Sequence, residues 1–341
     1  MLAGPLPVRM HEGHGNRQDE EPLLEPVTIK EEMEEALHKL GASTVVMANL
    51  KEVDSTQMPK SRAGPLDSTI RVRALRCMSY LFQASTSGYS HWFKAALLLD
   101  RFAASEQFRL EHLPLTCVCV TRIVLKHDAS LQMAMPFTHA RCSAMNFIKD
   151  LGAWLKSAHA CVTTEVSDRE LTVQEQRILK ALDWQVSYPC VEQMCFAYFA
   201  RFGMLAGADF QPLIQPMQAK VLIVARAVVM CIPTTDALSH GRLAAGLFAN
   251  CFVEAGYLPL NNLKPEKMSV SNWHALAAAT QPRGELPQCR VPAATSMQVF
   301  DMICLAVGEE PAAIRAAASQ TVQALGETYR QINSFQAEQG A

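Results

Sequence analysis

The chain has 341 residues, with apolar residues at 49%, charged residues at 19% and a formal net charge of -2. A chain of this length suggests two domains and holds enough apolar side chains for a large core. The near-balance of 31 Lys+Arg against 33 Asp+Glu argues against nucleic-acid binding by bulk charge and against a polybasic membrane tether.

Targeting signals are equally sparse. The most apolar stretch, Val221 to Pro233, is short for a span and carries Arg226, so no transmembrane segment is expected. The first residues, broken by Pro5 and Pro7, lack a signal-peptide core. The 11 cysteines are odd in number and mostly sit within apolar runs, which reads as reduced thiols in the nucleus or cytoplasm.

Residues 1–66 read as a flexible tail. Residues 1–60 hold six Lys/Arg and eleven Asp/Glu, and prolines recur. One helix is expected within it, near 29–40, opened by a Thr28/Glu31 capping box and closed by Lys39 and Gly41, with a solvated charged face.

From Ile70 onward the pattern is helical. Val72, Leu75, Met78, Leu81 and Phe82 recur at spacings of three and four. A second helix around Trp92 to Phe102 is apolar nearly all round. A third, from about Glu111 to Lys126, carries Arg122 and Lys126 as its charges after Leu113 and reads as the hub for the others. Residues 129–152 read as an insertion. Ser167 and Glu170 form a capping box that opens a helix to about Leu182, and Tyr188-Pro189 closes the unit. Further helices are expected at 191–202, 211–231, 236–256, 294–306 and 311–333. Alternating β-branched runs are few, so a sheet is not expected.

Four stretches of this first helical unit carry a resemblance. They are Arg73-Ala74-Leu75, Ala96 to Phe102 (ALLLDRF), Leu113 to Lys126, and Glu175 to Leu179 with Leu182-Asp183-Trp184. Together they resemble the cyclin box, over about residues 68–204. The resemblance implies an all-α fold of two tandem five-helix cyclin-like bundles behind a largely disordered acidic tail. The domains would be 67–189 and 190–335. It implies a structural ion pair between Arg73 and Asp100. A lone charge on buried helices would be costly, which favours pairing. It further implies that Lys126 and Glu175 lie together and hydrogen-bond to a kinase.

The implied function is a cyclin in cell-cycle control and cell division. Such a subunit binds and allosterically activates a cyclin-dependent serine/threonine protein kinase, with substrate or inhibitor proteins as further partners, and with no cofactor, nucleic acid or membrane. The alternative is a degenerate cyclin-fold scaffold, or a transcription-associated cyclin-like protein, without kinase activation. Arg76 and Ser79 fall where cyclins place Leu and Trp in a substrate-docking groove, and the stretch between Lys126 and Glu175 is longer than is usual in the family.

That stretch also holds His139, Cys142, His159 and Cys161, donors that suit tetrahedral zinc, but the His-x-Cys spacing is too tight for a familiar finger and no metal is expected. No P-loop, Gly-x-Ser-x-Gly elbow or His-Glu-x-x-His occurs, so the chain is not expected to be an enzyme.

Overall fold

The computed structural model describes residues 29–56, 66–84, 89–127, 146, 148–154, 167–233, 238–263 and 296–340. Among them every regular element is helical: α1 (Glu31–Lys39), α2 (Thr44–Thr56), α3 (Ser68–Ala84), α4 (Tyr89–Ala103), α5 (Leu113–His127), α6 (Asp168–Ala181), α7 (Val191–Ala206), α8 (Gln211–Cys231), α9 (His240–Glu254), α10 (Leu260–Leu263), α11 (Ser296–Val307) and α12 (Pro311–Gly340).

The hub helix is α5. Its apolar sequence leaves little wet face before the last turn, and Leu113, Cys117, Val118, Val120, Ile123 and Val124 are all buried. Helices α3, α4 and α6 pack around it. Ile148 and Leu151, from helical residues 148–154, join the same core. In the second half, α7 packs against α8, α9 and α11, and α9 lies along α12. An aromatic cluster fills the space between: Phe199 and Phe248 meet edge to face at 4.9 Å, and Phe202 and Phe252 lie 4.5 Å apart. The halves touch where α3 and α4 meet α8 and where α4 meets α7. Of the described helices, α8 is long and apolar enough to cross a membrane by length and composition, and here it packs against α3, α7, α9 and α12.

Two expectations need correction. The first is the ion pair. Asp100 is held by Arg71, not Arg73: Arg71 Nε and Nη2 donate to Asp100 Oδ1 and Oδ2 at 2.7 and 2.8 Å, and Nη1 donates to the Met230 carbonyl at 2.9 Å. Helical phase explains the difference. Arg71 lies on the stripe of Leu75, Met78 and Phe82 and is fully buried. Arg73, two residues on, is rotated by about 200°. It is exposed, with its guanidinium 4.5 Å from the centre of the Trp154 ring.

The second correction is the tail. Within residues 29–56 there are two helices, and they are docked. Leu37, Ala42 and Met47 are buried. The buried Arg201 of α7 donates to the carbonyls of Ala42, Leu305 and Ala306 at 2.9–3.2 Å. Lys51 donates to the Gly308 carbonyl at 2.6 Å and pairs with Glu309 at 2.8 Å. Asp54 accepts from Ser239 Oγ at 2.5 Å and from the Gly241 amide at 3.2 Å. Gly241 permits that approach, since a Cβ there would lie 2.5 Å from the Asp54 carboxylate. The expected capping box is replaced by Lys30 at the N-cap with no side-chain cap; Thr28 lies outside the described residues.

Two outcomes follow from the buried polar knot. Arg71→Met leaves Asp100 enclosed without its guanidinium and lowers the unfolding free energy by about 3–5 kcal/mol, whereas Arg73→Met costs about 1 kcal/mol or less, as measured by chemical denaturation. His240, buried near Asp100 and Arg71, has its pKa pushed down by burial to about 4. The folded chain therefore keeps His240 neutral where the unfolded chain binds a proton. Its contribution is complete above pH 6.5 and is lost as pH falls towards 4, a difference of about 3 kcal/mol. Denaturation at stepped pH, comparing wild type with His240→Gln, reads this directly: the variant flattens the slope in that window.

Candidate functional site

One stripe of α5 faces α6: Thr116, Cys119, Arg122 and Lys126, spaced by three, three and four residues. The α6 helix begins at a Ser167/Glu170 capping box with both bonds made, as expected, which fixes where its side chains fall. Two buried contacts then set how the helices lie together. Gln174 Nε2 donates to Thr116 Oγ1 at 3.0 Å, and Cys119 Sγ lies 3.5 Å from the Leu171 carbonyl.

This packing brings Lys126 and Glu175, 49 residues apart in sequence, into contact. Lys126 Nζ donates to Glu175 Oε2 at 2.6 Å. The lysine side chain is 49% exposed and the glutamate 10%. The carboxylate is therefore nearly enclosed, while the ammonium sits at the rim. Lys126 also occupies the last turn of α5, where a cation complements the negative end of the helix.

The sequence reading gave Arg122 no role. Its Nε lies 2.8 Å from Glu175 Oε1, so the carboxylate is flanked by two cations. The second contact is coulombic rather than hydrogen-bonded: both atoms are enclosed, yet neither makes a hydrogen bond. A signal for it was present. Arg122 and Lys126 are four apart on an otherwise apolar helix, and like charges at that spacing repel unless an anion lies between them. The Cys119 thiol registers the same cluster. Burial, then the charge of Glu175, pushes its pKa up to about 12, against the opposing effect of Arg122 and Lys126.

Away from the buried face that carries Glu175, α6 and the residues just beyond it show apolar side chains to solvent. Val173 is 57% exposed and Trp184 is 62% exposed. Trp184 and the preceding Asp183 both have positive φ, at 61° and 50°, a conformation that non-glycine residues seldom adopt. The Arg101 guanidinium lies 3.6 Å from the centre of the Tyr188 ring.

The remaining sequence candidates fall elsewhere. Asp100 belongs to the interior knot described above. His139, Cys142, His159 and Cys161 lie outside the described residues. Among the described residues no group of three His, Cys, Asp or Glu is placed to hold a metal. A cavity of about 690 Å³ lies beneath α2, lined by residues that include Lys51, Asp54, Tyr198, Arg242 and Gln320, and shares no residue with the charged cluster. No family model matches the chain, and no curated protein matches it.

Lys126→Met leaves Arg122 to balance the carboxylate and removes a half-exposed pair, so it lowers stability by no more than about 1 kcal/mol. Replacing both cations by Met strands the charge and costs about 3 kcal/mol or more. Equilibrium denaturation of the single and double variants distinguishes the two cases.

Proposed function

We propose that the chain is a cyclin: a regulatory subunit that binds a cyclin-dependent serine/threonine protein kinase and activates it allosterically, acting in cell-cycle control in the nucleus or cytoplasm. The observation that carries this reading is the 2.6 Å contact of Lys126 with Glu175 at the rim of the hub helix. The resemblance of residues 68–204 to the cyclin box calls for such a pair. On this reading the tandem bundles are α3, α4, α5, residues 148–154 and α6, then α7, α8, α9, α11 and α12.

The register correction moves the positions matched to the substrate-docking groove. With Arg71 rather than Arg73 as the partner of Asp100, the resemblance shifts by two residues. The groove positions first matched to Arg76 and Ser79 move to Ala74, which is buried, and Cys77, which is half-buried.

The mechanism is a population shift. A kinase is active only when its own Lys–Glu ion pair and its metal-binding Asp are in place. A rigid helical partner that binds this arrangement better than the inactive one moves the equilibrium by its differential affinity. Going from 1:99 to 99:1 requires about 5.5 kcal/mol of such preference. A rim ammonium beside a nearly enclosed carboxylate suits that role, because the half-exposed ammonium retains N–H donors for a partner backbone carbonyl.

The test is retention of purified cyclin-dependent kinases by the full chain, followed by phosphotransfer to a generic substrate. Lys126→Glu and Glu175→Ala, each checked for helical content by circular dichroism, weaken retention by about 30-fold or more. Unchanged retention rejects this surface, and retention without phosphotransfer favours a scaffold.

A further inference from the structure

The functional reading above uses Lys126 and Glu175, whereas Arg122 adds something that an ion pair alone does not supply. Two cations meet one carboxylate, so the cluster carries an excess of one positive charge. Lys126 has already taken Oε2 with a hydrogen bond. Arg122 is left beside Oε1 at 2.8 Å without one, and so does not form the two parallel bonds that would commit its planar fork to Glu175. The Arg122 side chain is 27% exposed although its Nε is enclosed, so its solvent contact lies on its other atoms.

A cation held in a partly desolvated place, attracted to an anion but not satisfied by it, gains most from a second anion. A backbone carbonyl would supply only a dipole. A carboxylate supplies a full charge and two acceptor oxygens matched to a guanidinium fork. We propose that Arg122 is a specificity-determining residue of this surface, which selects a docking partner that presents an Asp or Glu carboxylate against the Arg122–Lys126 face of α5. The inference rests on the kinase-binding reading and deepens it: the partner kinase is one with an acidic side chain where it meets the end of the hub helix.

The experiment uses the full chain and whichever cyclin-dependent kinase it retains. Affinity is measured over a series of salt concentrations for wild type, Arg122→Met and Arg122→Lys. Arg122→Met weakens binding by about tenfold at low salt and flattens the salt dependence, and Arg122→Lys recovers part of both. Carboxylates on the kinase are then changed singly to amides. One of these changes reproduces the loss and adds nothing further when combined with Arg122→Met. Thermal denaturation of the same variants separates a purely structural role, which lowers the melting temperature and leaves affinity and salt slope unchanged. That result overturns the proposal, as does a kinase with no coupled carboxylate. If binding depends on Lys126 and Glu175 but not on Arg122, this inference alone falls. If wild type retains no kinase, both fall.

Discussion

A helix with almost no polar face cannot lie against water, and that constraint organises the first half of the molecule. Between Leu113 and Lys126 nearly every side chain of α5 needs an apolar neighbour, and α3, α4 and α6 supply them. Once enclosed, the helix has few places to put charge. Its two cations are confined to its last turns, on one stripe, and the helix packed against that stripe must answer them. Glu175 does so. The charged cluster is thus a consequence of core packing: the rim is where an otherwise buried helix comes to the surface.

The same physics governs the interior knot. Arg71 is enclosed and is satisfied in three directions by Asp100 and the Met230 carbonyl, which joins α3, α4 and α8. Because Met230 and His240 belong to the second half, this knot also couples the two halves. Arg201 repeats the device elsewhere: one buried guanidinium gathers carbonyls from the turn before α2 and from the end of α11. In each case the planar fork of arginine links backbone that apolar packing alone would leave free to slide.

Much of this was legible in the sequence, for identifiable reasons. The hub helix announced itself by its lack of polar residues, and the Ser167/Glu170 box marked the start of α6 because reciprocal capping needs that spacing. What misled was phase and averaging. The resemblance aligned Arg73 with the ion pair, although the apolar positions 75, 78 and 82 place Arg71 on the inward face. The acidic average over residues 1–60 hid Leu37, Ala42 and Met47, which are few but fully buried. Arg122 was visible as a charge, but its role depends on a carboxylate that arrives from 53 positions away, and no local pattern encodes that meeting.

The central claim is that the rim of α5 and the adjoining face of α6 form the surface at which a kinase is bound. Amide hydrogen exchange of the full chain, with and without a cyclin-dependent kinase, tests it most directly. The account predicts added protection concentrated in the last turn of α5 and along α6 near Glu175. Protection confined to the second half, or none on adding any such kinase, would contradict it.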